Sequence, residues 1–177
     1  MKKLLLVTLL VWCSPALPVS AQQFNVGIAP ELSLPTGSSA NRSTVGAGMG
    51  VKVEVIVAER FGLTTNLGYN LFISKRYFGK RAQNLSAFPL KLGLKYYTKP
   101  KFYFEGQAGS ALNTSTGNKS SFVWAVGMGS YADISRNAGH RLNFGLRYES
   151  WADPSVTVVK KSSFDFVSVK LIYEWPL

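Results

Sequence analysis

The chain has 177 residues, 46% of them hydrophobic, and carries 20 Lys and Arg against 9 Asp and Glu, a net charge of +11. That length accommodates one domain rather than two. With one cysteine, Cys13, and one histidine, His140, the sequence excludes a disulfide framework, a thiolate metal centre and a histidine-rich metal site.

Residues 1–21, MKKLLLVTLLVWCSPALPVSA, read as a signal peptide. Lys2 and Lys3 form the basic start, Leu4 to Cys13 the apolar stretch, and Val19-Ser20-Ala21 the small-residue cleavage site. The apolar stretch is too short for a spanning helix, which needs about 20 residues. Trp12 stands where a lipoprotein signal needs a small residue, so Cys13 is not expected to carry a lipid. Cleavage leaves a mature chain, 22–177, without a thiol and with 18 basic residues against 9 acidic ones, a net +9.

Eight segments then alternate apolar and polar residues with period two, at the ~9–11 residue length of a tilted membrane strand. They run from about 24 to 34, 45 to 57, 61 to 73, 87 to 97, 102 to 113, 122 to 134, 142 to 151 and 164 to 175. Pro30 falls inside the first, where a proline calls for an edge or a bulge, so a local bulge is expected. The connections alternate short and long. AER, TKPK and SRNAGHR are the short ones; PTGSSANRST, SKRYFGKRAQNLS, STGNKSS and ADPSVTVVKKSS are the longer ones. This is the rhythm of an antiparallel barrel with periplasmic turns and external loops, both termini returning to the periplasmic side.

Volume decides which face is outside. One face carries about 39 bulky apolar side chains, such as Val51, Val53, Val55 and Val57, or Leu90, Leu92, Leu94 and Tyr96. The other holds most of the 16 glycines, among them Gly46, Gly48, Gly50, Gly68, Gly93, Gly127, Gly129 and Gly145. An eight-stranded barrel has an interior just wide enough for side chains. The glycine face is therefore concave and the bulky face meets lipid. Aromatics on the bulky face cluster at strand ends: Phe24, Phe61, Tyr96, Phe102, Tyr173 and Trp175 at one end, Tyr69, Phe88, Phe122, Trp124 and Tyr148 at the other. These are the girdles expected at the two membrane–water interfaces. The fold class is all-β: a monomeric, eight-stranded, antiparallel, up-and-down transmembrane β-barrel.

FPLKLGLKYYTKPKFYFEGQAG (88–109), the glycine-rich VGAGMGVKVEV and FGLTTNLGYNLF hairpin, and the C-terminal FVSVKLIYEW together resemble the small eight-stranded outer-membrane barrels of the OmpA/OmpX type, more narrowly the outer membrane protein β-barrel domain proteins. The resemblance spans essentially the whole mature chain. It implies an outer-membrane location and recognition by the barrel-assembly machinery. Such barrels often end on an aromatic residue, whereas this chain ends Trp175-Pro176-Leu177.

The inward face also carries Glu31, Lys52, Glu54, Lys91, Lys95, Glu105, Asp133, Arg147, Glu149, Lys170 and Glu174. Both signs are interspersed, so the expected lumen is a plug of ion pairs rather than a conduit. Folding the fourth and fifth strands about Pro100 sets Lys95 opposite Glu105. Setting Trp175 beside Phe24 puts Lys170 diagonal to Glu31.

No catalytic site is expected. His140 lies in a turn without a serine and carboxylate around it. Glu149 and Asp133 read as lumen charges, and VGAGMG has no following helix to make a phosphate loop. No cofactor or metal is implied. The long loops carry Arg42, Lys75, Arg76, Lys80, Arg81, Lys119, Lys160 and Lys161 against Asp153 alone, and Tyr77 and Phe78 interleave with the four loop-two cations. That pattern points to anionic outer-membrane lipid or lipopolysaccharide, or to a cell-surface ligand, and not to nucleic acid. The function expected is a structural or surface-interaction role. The alternatives are a narrow small-solute channel and a secreted, soluble lipocalin-like barrel.

Overall fold

The computed structural model describes residues 23–77, 80–81, 83–99, 101–115, 119–134, 139–152 and 163–177. The signal peptide, Phe78, and Asp153, Lys160 and Lys161 of the last loop lie outside the described residues. The elements in order are β1 (Phe24–Pro35), α1 (Ser39–Arg42), β2 (Ser43–Ala58), β3 (Phe61–Ser74), β4 (Arg76–Tyr77), β5 (Lys80–Arg81), β6 (Leu85–Lys99), β7 (Phe102–Asn113), β8 (Lys119–Asp133), β9 (Arg141–Ala152) and β10 (Ser163–Pro176). The eight long strands close in the order β1-β10-β9-β8-β7-β6-β3-β2, every pair antiparallel. All eight alternating segments become barrel strands. Two small elements were not expected from alternation: the one-turn helix α1 in the first long loop, and the β4–β5 ribbon in the second.

The β2–β3, β6–β7 and β8–β9 connections lie at one end of the barrel, here the turn end, where the Leu177 N–H also donates to the Phe24 carbonyl at 2.9 Å. The other end holds the longer loops. Pro30 makes no bulge. The β1–β2 register runs unbroken through Ala29↔Gly50, Pro30↔Met49 and Glu31↔Gly48. Toward β10 the pairing stops at Ile28↔Tyr173 and resumes, unshifted, at Glu31↔Lys170. A proline lacks an N–H, and the ladder accommodates that as a local gap toward β10 instead of an inserted residue. The register shifts that do occur sit at strand ends, between Ser43 and Val45, Ile56 and Ala58, and Tyr97 and Lys99.

The pleat sends alternate side chains to opposite faces. Leu32, Leu63, Leu67, Leu90, Leu92, Leu94, Val126, Leu146 and Val169 are all at least half exposed on the convex surface, Leu92 at 64%. Lys52, Glu54, Lys91, Lys95 and Glu149 are at most 2% exposed inside. Grease outside and charge inside is the reverse of a soluble binding barrel, and it removes the lipocalin-like alternative. Each girdle residue lies on the outer wall, Phe102 and Trp175 half-buried and the others more exposed. Phe61 packs on Tyr96 at 5.2 Å between ring centroids, Tyr69 on Phe88 at 4.8 Å and Trp124 on Tyr148 at 5.7 Å.

Candidate functional site

The lumen is filled in layers. Nearest the turn end, Lys95 Nζ lies 2.6 Å from Glu54 Oε2, and Lys52 Nζ lies 3.3 Å from Glu54 and 3.2 Å from Glu174. Three tyrosines floor this layer. Tyr97 donates its hydroxyl to Glu54, Tyr131 accepts from Lys95, and Tyr103 donates to Asn143 Oδ1 at 2.7 Å. Asn143 Nδ2 in turn donates to Glu174 at 3.0 Å. The Lys95 ammonium sits 4.3 Å from the Tyr103 ring centroid and 5.0 Å from that of Tyr131, within cation–π range.

Above this, Thr64 donates to Glu105 at 2.6 Å. The next layer joins Lys170 to Glu31 (2.7 Å), Arg147 to Glu31 (3.2 Å) and to Glu149 (3.0 Å), and Lys91 to Glu149 (2.7 Å). Asn70 donates to Glu31 at 2.5 Å, and Arg147 donates to Gln107 at 2.7 Å. The five cations Lys52, Lys91, Lys95, Arg147 and Lys170 meet the five carboxylates Glu31, Glu54, Glu105, Glu149 and Glu174, and half-buried Arg141 joins them from the turn end, 3.9 Å from Glu174 and 4.9 Å from the Tyr131 ring centroid, so the charges nearly balance. Two cavities beside these layers measure about 10 and 20 Å³, room for about one water each.

At the loop end the interior turns apolar. Phe72 packs against Phe164, Phe166 and Trp151 with ring centroids at 4.8, 4.9 and 5.7 Å, over Ala87, Ala111 and Val123. Trp151 anchors this cluster to the charges beneath through Nε1–H to Glu149 Oε1 at 2.7 Å. Glycines make the space. A Cβ on Gly46 would meet the Phe72 ring at 2.4 Å, and one on Gly129 would meet the Tyr103 hydroxyl at 2.3 Å. Neither aromatic cluster figured in the sequence reading, though Phe72, Tyr97, Tyr103, Tyr131, Trp151, Phe164 and Phe166 all fall on the glycine side of the alternation.

One expected register holds and two expectations are corrected. Lys95 does face Glu105 in the β6–β7 register, yet its ion pair is with Glu54, on the far side of β3. Gly62, opposite Lys95 on β3, clears that path: a Cβ there would lie 2.9 Å from Glu54 Oε1. Trp175 pairs with Val26 rather than sitting beside Phe24, which brings Lys170 directly opposite Glu31 instead of diagonal to it. Asp133 is not a lumen charge. As the last residue of β8 it lies at the turn-end rim, exposed, 3.1 Å from exposed Lys101.

His140 is also at the turn end. Its Nδ1 lies 2.9 Å from the Tyr173 hydroxyl and its ring stacks on that tyrosine at 5.7 Å. Among the described residues no three His, Cys, Asp or Glu side chains gather as a metal site.

The backbones of the first two loops meet at the loop end. The Lys75 N–H donates to the Arg42 carbonyl at 3.0 Å, tying the end of α1 to the end of β3. Ser74 is held by Asn84 Oδ1 (3.1 Å, to its N–H) and donates its hydroxyl to the Gln83 carbonyl (2.7 Å), pinning the ribbon's base. Along the ribbon, Arg76 pairs with Arg81 and Tyr77 with Lys80. Lys75 and Arg76 are exposed.

No family model matches the chain, and no curated protein sequence matches it. Solved structures do. The outer membrane protein OprG from Pseudomonas aeruginosa aligns with a TM-score of 0.58 at 14% identity, over 89% of this chain and 96% of that one. Neisserial surface protein A aligns at 0.55 and 10% identity, over 87% and 96%. Ail of Yersinia pestis, in a phospholipid bilayer nanodisc, aligns at 0.52 and 11% identity, over 87% and 99%. This is the fold of the small eight-stranded outer-membrane barrels. At these identities the likeness is one of architecture. The outer-membrane barrel described here shares with them a closed eight-strand wall, and its own side chains decide what fills it. A second Ail structure, at a TM-score of 0.50 and 11% identity over 87% and 97%, holds the heparin analogue sucrose octasulfate.

Proposed function

We propose that this outer-membrane barrel conducts no solute and works at the cell surface through its basic loop end, with its termini and short turns in the periplasm. The observation that carries the reading is the filled lumen, its charges nearly balanced, capped by aromatic side chains. Eight strands leave no open channel, and here the remaining space is taken by paired charges. The mature chain's excess of cations therefore lies on the rims and loops, eight of them at the loop end: Arg42, Lys75, Arg76, Lys80, Arg81, Lys119, Lys160 and Lys161. The Ail complex with a sulfated sugar supports a polyanion-binding role for a barrel of this shape. Lipopolysaccharide and other surface polyanions are the partners this charge favours, and the barrel-assembly machinery is the partner of its biogenesis. This reading gives the protein a surface role and no enzymatic one.

The test is conductance of purified protein in planar bilayers. The expected trace is silent at moderate voltage. Steady, porin-sized unitary steps would restore the channel reading and refute this one.

A further inference from the structure

The charged layers carry polar atoms that the pairing leaves over. Asn66 and Arg147 are each 5% exposed, and Asn66 Nδ2 and Arg147 Nε have no hydrogen-bond partner among the described residues. Both side chains line the cavity of about 20 Å³, together with Lys170, Glu105 and Tyr103. Glu105 is the lumen carboxylate that forms no ion pair among the described residues; Thr64 donates to it at 2.6 Å. The neighbouring cavity, of about 10 Å³, shares Asn66 and Lys170 as walls and adds Glu31, Asn70 and Lys91. At the turn end Asn25 is 1% exposed, with both polar atoms of its side chain unpartnered among the described residues. There Arg141 Nη2 and Glu174 Oε2 stop 3.9 Å apart, beyond hydrogen-bond reach.

A buried donor without an acceptor is costly, so a cavity beside two of them favours an occupant that accepts. An anion there would meet the Glu105 carboxylate, and a cation would meet Arg147 and Lys170. A molecule that both accepts and donates suits all of these groups, and a space of this size admits about one water. The layer above differs in kind. Phe72 and Phe166 are 0% exposed and Trp151 2%, and they pack with Ala87, Ala111 and Val123 into an apolar plug. The indole N–H of Trp151 is turned down to Glu149 at 2.7 Å. Protons pass along hydrogen-bonded water and side chains, whereas an apolar layer offers a moving charge nothing to replace its solvation.

We infer that a water molecule bridges Asn66, Arg147 and Glu105 inside the barrel, and that the aromatic cap, not the charged layers, seals the lumen against water and protons. This rests on the reading that the wild-type barrel is closed. In isotope-labelled wild-type protein, the Asn66 Nδ2 and Arg147 Nε protons should show magnetisation transfer from water. No transfer overturns the bridging water. In proteoliposomes with an entrapped pH dye, the wild type should leak protons no faster than lipid alone. Phe72→Ala opens the centre of the cap and should raise the flux about tenfold or more, since an apolar layer disfavours a passing charge by more than that factor. Lys91→Met with Glu149→Gln removes one pair from the charged layers, keeps an acceptor for Trp151, and should leave the flux at the wild-type level. Folding of each variant is checked by the gel-mobility difference between unheated and boiled protein. Phe166→Ala, in the same cluster, serves if Phe72→Ala does not fold. A silent cap variant, or a leak through the Lys91→Met, Glu149→Gln barrel, puts the seal in the charges and overturns the cap. Porin-sized steps from the wild type refute the closed barrel, whereas these outcomes concern protons, variants and one buried water, so the two proposals fail separately.

Discussion

Glu54→Gln is the sharpest probe of the lumen. The carboxylate receives Lys95 at 2.6 Å and Lys52 at 3.3 Å and accepts from the hydroxyls of Tyr97 and Tyr131. Lys52 keeps Glu174 at 3.2 Å, but among the described residues Glu54 alone lies within ion-pair distance of Lys95, and Lys95 is 0% exposed. Removing one partner of a buried ion pair costs about 3–5 kcal/mol, because the stranded charge keeps its desolvation penalty. Removing both partners is far milder, since a neutral pair of similar volume carries no such penalty. Glu54→Gln should therefore destabilise by about 3–5 kcal/mol, and Glu54→Gln with Lys95→Met by less than half of that. Lys52 and Glu174 remain a balanced pair in the double variant. The assay is urea unfolding in lipid vesicles, read by tryptophan fluorescence and by the gel-mobility difference between folded and boiled protein, taken around the full double-mutant cycle. If the single and double variants lose equal stability, the stranded-charge reasoning is wrong and the loss belongs to packing.

Three further outcomes follow from the geometry. Leu92→Arg, mid-wall at 64% exposure, should cost about 2–4 kcal/mol in bilayers; a negligible cost would remove the lipid-facing assignment. Phe72→Ala should cost about 3–5 kcal/mol by emptying the centre of the aromatic cap, measured by the same unfolding midpoint. Gly46→Ala should cost about 1–3 kcal/mol through its clash with the Phe72 ring, and Phe72→Leu in the same chain should recover part of that. Equal losses with and without Phe72→Leu would show that the clash is not the cause.

Strand number, strand faces and girdles were legible because period two is a direct image of the pleat, and because glycine against bulk tells concave from convex. The identity of most inward charges was legible for the same reason; Arg141, whose side chain reaches Glu174, was not among them. Their partners were not. Lys95 reaches Glu54 over a strand that contributes only Gly62 at that height, and Lys91 reaches Glu149 from β6 to β9. Such pairings depend on how far neighbouring strands are displaced along one another around the whole circumference, which alternation within one strand does not contain. The aromatic caps had a signal: Phe164 and Phe166 share the alternation of Lys170, and Trp151 that of Glu149. Reading them as lumen residues needed attention to large side chains on the small-residue face. Asp133 was misplaced because alternation continues smoothly past the point where a strand leaves the barrel wall.

The Glu31–Lys170 contact has a consequence for how the cylinder is sized. These residues face each other across β1 and β10, where the first strand meets the last. A slip of two residues at that seam keeps every side chain on its proper face, so hydrophobicity cannot reject it. It would instead change the stagger of the closed sheet, and with it the bore and tilt. Glu31 would then face Ser168 or Ile172, with its charge stranded among neighbours set for another diameter. One buried ion pair at the closing joint thus acts as a gauge for the girth of the barrel, rejecting the wrong fit that grease alone would accept.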